Sequence, residues 1–300
     1  MSLLNLRSFM EVFRSRSISA AARALGLTQP AVSGHIASLE GQVGRALFVR
    51  QPRGVSPTPF AEDLALQIGD SLDRAEEALA RARARSAHIS GVVHVAGPAE
   101  LMAERVAPAL KSLQDAGLDI RLQLGGKTSI YRQLIAGEVD LAFTASTPDH
   151  PQLAFAVVGS ERLIAVAAPD IADRISSAPD LLAALTAERL LSYDMDRPLV
   201  RGWLEQNRLP LAGFVPAITA PDLRMLRALV ECGAGWSVIP DYLVVAAVQA
   251  RRVAAIPAPV SDPTNPFHLV WSKSGLRHPR VAHARDVLLQ AWTDQGQTAC

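Results

Sequence analysis

Residues 25–40 read LGLTQPAVSGHIASLE. A proline inside a helix costs a hydrogen bond and clashes with the preceding turn, but in the first turn its missing N–H has no partner to lose. Thr28 therefore reads as an N-cap, with Gln29, Pro30 and Ala31 as the first turn of a helix. Val32, Ile36 and Leu39 then recur at spacings of four and three, which makes one apolar stripe. The opposite face carries Gln29, Ser33, His35 and Ser38. It is short, polar, uncharged and rich in hydrogen-bonding groups.

Upstream, Leu6, Phe9, Met10 and Phe13 form an apolar stripe that predicts a helix over 4–15. Ser17 and Ser19 precede AAARAL (20–25), a second helix whose small packing face is Ala21, Ala22 and Leu25 and which Gly26 ends. Helix, tight turn with glycine, helix is the helix-turn-helix pattern, whose second helix presents its N-terminal residues to base edges in the major groove. Downstream of Gly44, LFVR (47–50) and Val55-Ser56 flank QPRG (51–54), which predicts a two-stranded wing. Arg50 and Arg53 at that wing suit phosphates or a narrow minor groove. Charge agrees with this division. Residues 1–58 hold seven arginines and two acids, a balance of +5, whereas residues 91–300 hold 19 basic and 21 acidic groups, a balance of −2, in a chain of net charge +1. A basic front end on a near-neutral body suits an anionic partner for the front end.

The stretch AAARALGLTQPAVSGHIASLEGQVGRALFVR (20–50) resembles the winged helix-turn-helix of the LysR-type transcriptional regulators. The match is carried by Thr28, Gln29, Pro30, Ala31, Val32, Ser33, Leu39, Glu40, Gly44, Leu47, Phe48 and Arg50. His35 stands where the family usually has glutamine, and Val43 where it has leucine. The DNA-binding residues expected from pattern and resemblance together are Ser19, Thr28, Gln29, Pro30, Ser33, His35, Arg50 and Arg53. The resemblance implies double-stranded promoter DNA as a partner, RNA polymerase as a further one, and a homodimer or homotetramer.

Thr58-Pro59 again reads as N-cap and first helical position. From there Ala65, Ile68, Leu72, Ala75, Leu79 and Ala82 alternate spacings of three and four, a heptad seam. Residues 59–90 are therefore expected to form a linker helix that pairs two copies through an exposed stripe of Ile68, Leu72 and Leu79. Its close, RARARS (81–86), places positive charge at a helix C-terminus, where it is favourable.

From Gly91 the pattern changes. Apolar or alternating runs at 91–97, 118–124 and 139–146 are separated by helical patterns around 100–116 and 128–136, which argues for a parallel α/β sheet. A second set follows: strands at 162–169, 189–193, 213–218 and 235–240, helices around 179–186, 198–207 and 222–232, then a strand at 267–272 and a helix near 280–292. The body is similar to the effector domain of the same family, which has two lobes like a periplasmic binding protein. Lobe 1 is expected over about 91–161 and 267–300, and lobe 2 over about 162–266. The fold class is thus α/β, with a helix-rich winged helix-turn-helix at 1–58 and a two-lobed domain at 91–300.

Ligands of such sheets bind beyond the carboxyl ends of strands, at helix N-termini. The strand ends supply Pro98, Ala99 and Glu100, then Lys127, Thr128 and Ser129, then Ser146 and Thr147, with Tyr193 and Thr219 from the second lobe. Thr128 or Ser129 at a helix start suits a carboxylate, with Lys127 adding charge. Pro98-Ala99-Glu100 stands where the family has Ser or Thr, and Glu100 instead suits a ligand with an amine. The resemblance implies a small-molecule effector and no further cofactor.

Other classes find little support. The seven histidines show no metal-ligand spacing on a helix, and no GxSxG, P-loop or GxGxxG opening a helix occurs. Gly233-Ala234-Gly235 follows a helix and precedes a strand, the reverse of the dinucleotide order. A small-molecule-binding protein or an enzyme on a two-lobed fold remains the alternative. Cys232 and Cys300 offer no disulfide framework or metal set, and Cys232 reads as a buried reduced thiol. No apolar run approaches the ~18 residues of a membrane span, and MSLLNLRSF has no leader pattern, so the expected location is the cytoplasm.

Overall fold

The computed structural model describes residues 3–52, 54–86 and 89–298, without the side chains of 80–86 and 293–298. Arg53, Cys300 and the side chains of Ala82 and RARARS lie outside that description. The chain forms two compact units.

The first unit contains α1 (Leu3–Ser15), α2 (Ile18–Leu25), α3 (Gln29–Val43), a hairpin of β1 (Phe48–Gln51) and β2 (Gly54–Pro57), and α4 (Pro59–Ser86). The expected caps are all present. Ser17 accepts from the Ala20 N–H at 3.2 Å, and Thr28 accepts from the Ala31 N–H at 3.4 Å. Thr58 accepts from the Ala61 N–H at 3.2 Å while its own hydroxyl donates to the Ala46 carbonyl at 2.9 Å. Glu40, at the end of the recognition stretch, takes the Leu47 N–H at 2.7 Å and the Phe48 N–H at 3.3 Å, so one carboxylate fixes where α3 stops and the wing begins. Phe9, Val12, Ala21, Val32, Leu39 and Leu47 are fully buried and form the core. The wing is tied down at Gly54, whose φ is +118°. A Cβ there would sit 2.5 Å from the Arg16 carbonyl oxygen, which accepts from the Val55 N–H at 3.1 Å.

The expected exposed seam on α4 is not found. Ala61, Ala65 and Leu72 are buried in the core of the first unit, and Ile68 is half-buried against it. The stripe has a partner within its own chain because α1 presents Met10 to it, and Gly69 leaves Met10 the room. Among the described seam residues, Ala75 and Leu79 stay exposed. The helix therefore belongs to the same unit as residues 1–58, not to a separate linker. Lys273–His283 also belongs to the first unit rather than to lobe 1. It includes a 3-10 turn, Gly275–Arg277. There Arg277 donates to Glu76 at 2.6 Å and to Glu11 at 3.2 Å, and Arg7 lies 2.8 Å from Glu76.

The second unit opens with β3 (Gly91–Gly97), α5 (Ala99–Leu101), a π-helical turn (Met102–Val106), α6 (Ala107–Asp115), β4 (Leu118–Leu124), α7 (Lys127–Ala136) and β5 (Leu141–Thr144). Then follow β6 (Leu153–Ala167), α8 (Pro169–Ser177), α9 (Leu181–Ala187), β7 (Leu190–Ser192), α10 (Pro198–Gln206), β8 (Pro216–Thr219) and α11 (Leu223–Glu231). It ends with β9 (Trp236–Pro240), α12 (Asp241–Gln249), β10 (Ala254–Ala255), β11 (Thr264–Ser272) and α13 (Pro279–Thr298). The strand order is β4-β3-β5-β11-β6-β9-β7-β8, with β10 beside β6. The sheet is mixed rather than parallel. β3 is parallel to β4 and β5, but β11 runs antiparallel to β5 and β6, and β6 antiparallel to β9. β6 is the shared element. Its first part, Leu153–Arg162, pairs with β11 in lobe 1, and its last part, Leu163–Ala167, pairs with β9 in lobe 2.

Gly235 accounts for the glycine pair before β9. Its φ is +155°, and a Cβ would lie 2.1 Å from the Arg189 carbonyl oxygen, so the role is close strand approach. Cys232 is exposed rather than buried, because it stands at the end of α11, where its thiol donates to the Ala228 carbonyl at 3.0 Å.

Candidate functional site

The start of α3 is the most exposed part of the helix-turn-helix. Thr28, Gln29 and Pro30 are all solvent-accessible. The Ser19 hydroxyl donates to Gln29 Oε1 at 3.1 Å, so α2 orients the amide that the first turn of α3 presents. Gln29 keeps its NH₂ donors outward, with the edge of a base as the matching partner. Further along, the polar face divides. His35 Nδ1 shares a 2.8 Å hydrogen bond with Ser8, and Ser38 accepts from Asn5 at 3.0 Å. These two side chains are engaged by α1, whereas Ser33 is half-buried. Arg50 is exposed on β1. Arg16, Arg23 and Arg45 are exposed as well; their positions relative to the helix start were not legible from spacing.

In the second unit, a set of ionisable groups from both lobes faces one another. Glu100, at the start of α5 in lobe 1, is 5% exposed. Burial holds its carboxyl above the ordinary range, and Asp222 of lobe 2 adds to this. Glu161, on β6, is 4% exposed and accepts from Asn265 at 2.8 Å. Burial, with Glu100 and Asp241 nearby, pushes its pKa up to about 7. The Tyr193 and Tyr242 hydroxyls are pushed up by burial and by the neighbouring carboxylates. Arg105, in the π-helical turn, lies over the Tyr242 ring at 4.6 Å. Asp222 caps α11 and accepts from Arg224 Nη2 at 2.7 Å.

Glu100 and Tyr193 are thus brought together as expected. Asp222, from the turn that follows β8 and that the strand-end reading also reaches, joins them, as do Arg105, Glu161, Arg224 and Tyr242, which spacing does not single out. Those four fall within a helix, on β6, and at the heads of α11 and α12, away from the strand ends. Pro98 and Ala99 lead into Glu100 and are half-buried. The other expected residues come from α7, the turn after β5 and the end of β8. Lys127 and Thr128 are exposed at the start of α7, where Gly126 is the N-cap, so neither Thr128 nor Ser129 caps the helix. Lys127 lies 5.8 Å from the Tyr131 ring, whose hydroxyl donates to the Ser146 carbonyl at 2.7 Å. Ser146 is further held by its N–H to Thr144 at 3.1 Å, and Thr147 and Thr219 are exposed.

Comparison with known proteins identifies the family. Residues 3–62 match the bacterial regulatory helix-turn-helix protein, lysR family, and residues 86–293 match the LysR substrate binding domain. The HTH-type transcriptional regulator AbaB of Streptomyces antibioticus is 34% identical over 304 residues, covering 98% of this chain and 99% of its own. Full-length LysG from Corynebacterium glutamicum with bound effector Arg is similar in fold, with a TM-score of 0.61 at 18% identity over 98% of this chain and 99% of that one. Full-length CbnR complexed with its target DNA is similar with a TM-score of 0.53 at 20% identity, over 97% of this chain and 100% of that one.

Proposed function

The chain belongs to the LysR family of DNA-binding transcriptional regulators, and we propose that it reads its operator through the first turn of α3 and responds to a small molecule held between the two lobes. The observation that carries the DNA half is the exposed Gln29, oriented by Ser19 on a helix capped by Thr28. A glutamine amide there suits a paired contact to adenine, and Pro30 beside it suits a thymine methyl. Arg50 and Arg53 of the wing hold phosphate or a minor groove. Ser33 and His35 border the reading turn, His35 as a residue positioned by Ser8.

The ligand half rests on the buried charges that the two lobes turn toward each other around Glu100 and Glu161. Pro98, Ala99 and Tyr193 border that space, and Lys127, Thr128, Ser129, Ser146, Thr147 and Thr219 form its outer rim. The working species is a homodimer or homotetramer on promoter DNA, with RNA polymerase as a further partner, in the cytoplasm. Among the described residues no helix is long and apolar enough to cross a membrane.

The test is to map the fragments that the full chain protects, starting with DNA flanking its own gene. Protection of a discrete site by the full chain, and its loss on deleting residues 1–90 while small-molecule binding persists, supports this function. Small-molecule binding with no protected DNA favours a plain binding protein.

A further inference from the structure

Most charges facing the interlobe space have a partner. Asp222 is held by Arg224 at 2.7 Å, Asp241 by Arg162 at 3.5 Å, and Asp194 accepts the Arg197 N–H at 2.9 Å. Two carboxylates are left. Glu161 receives a single neutral donor, Asn265. Glu100, although 5% exposed, has no side-chain donor, and the only N–H bonded to it is its own. Its charge acts on Tyr193, Asp222 and Arg224 of lobe 2. The cation that acts on Glu161 is Arg105, which lies on the Tyr242 ring and has a buried Nε without a hydrogen-bond partner. The cation that acts on Glu100 is Arg224, which is bonded to Asp222 at 2.7 Å. Each buried carboxylate therefore has a nearby guanidinium that is committed to another group, and a buried charge without a partner of its own is unfavourable. The π-helical turn between Glu100 and Arg105 is of a kind that recurs at functional sites.

We propose that the effector is a small organic cation, whose ammonium or guanidinium group docks between Glu100 and Glu161 beside the Tyr193 and Tyr242 rings. This rests on the interlobe space being the effector site. An incoming cation supplies the donors that Glu100 lacks, joins the two lobes across it, and drives Glu161 to ionise. Arg105 competes for Glu161, so its removal favours the ligand.

The experiment is calorimetric and thermal titration of the full-length chain with putrescine and agmatine as cationic probes and succinate and benzoate as anionic ones. The expected result is that a cationic probe binds and raises the unfolding midpoint. Glu100→Gln and Glu161→Gln, which keep shape and size, each weaken it about tenfold or more, and Arg105→Ala strengthens it. Circular dichroism confirms that the variants fold. Failure of both cationic probes to bind overturns the proposal, as does unchanged affinity in the two Gln variants. An anionic probe that binds, and binds more tightly to Glu100→Gln, overturns the cation while keeping the site. A probe whose binding ignores Glu100, Glu161 and Arg105 overturns the site as well.

Discussion

His35 shows where sequence stops being informative at the scale of one residue. Periodicity places it on the polar side of α3, but cannot say that α1 lies over that side and that Ser8 bonds the ring. Gln29 was legible because an N-cap fixes the first turn and the first turn is exposed. Glu161 was not, because nothing in a strand of alternating residues marks a carboxylate as buried. Its pKa of about 7, against an ordinary carboxyl value of 4.5, has a consequence for stability. The native state binds the proton more tightly, so the contribution is fully present below the unfolded value and lost as pH rises through the folded one. At 1.36 kcal/mol per pK unit the loss is on the order of 3 kcal/mol. Urea unfolding of the unliganded chain from about pH 5 to about pH 8 should show this decline, and Glu161→Gln should flatten it. An equal slope in both proteins would assign the pH dependence elsewhere.

Among elements, α4 carries the clearest lesson. Its seam was read correctly as apolar and helical, but an apolar stripe does not state which surface covers it. The cover is the chain's own core, so Leu72→Ala should cost about 2–5 kcal/mol of stability in the first unit through the cavity it leaves. Denaturant unfolding checks this, and a variant that only changed the mass in solution would restore Leu72 to a subunit interface. The wing depends on one glycine in the same way. Gly54→Ala should meet the Arg16 carbonyl and loosen the Val55 bond, giving faster hydrogen exchange at Val55 and weaker binding to random DNA. Unaltered exchange at Val55 would show that the hairpin can shift aside. Two helices, α8 and α12, escaped notice because each follows a strand directly. Pro169 opens α8, and Pro240 caps an α12 whose VVAAV core lacks clear polar periodicity.

At the scale of the whole molecule, a helical DNA-binding front end and an α/β effector-binding body were legible from charge balance, strand-helix alternation and family resemblance. The place of Lys273–His283 was not, because Glu76 and Glu11, the partners of Arg277, lie 201 and 266 residues away in sequence. Arg7, Glu11, Glu76 and Arg277 form a balanced set, with Arg277 9% exposed against 7% and 8% for the two carboxylates. Arg277→Ala leaves two buried carboxylates to Arg7 alone and should destabilise the first unit by about 3–5 kcal/mol, read by denaturant titration. A loss within experimental error would mean that water replaces the guanidinium. The central claim is that the first turn of α3 reads bases while the wing holds the backbone. Binding-site selection on the full chain, Gln29→Ala and Arg50→Ala at two salt concentrations tests it most directly. Gln29→Ala should cost ~1–3 kcal/mol on the operator and relax one base pair, and Arg50→Ala should weaken all sequences alike and lower the salt slope by about one. A selected sequence unchanged by Gln29→Ala but altered at several positions by Arg50→Ala would contradict it.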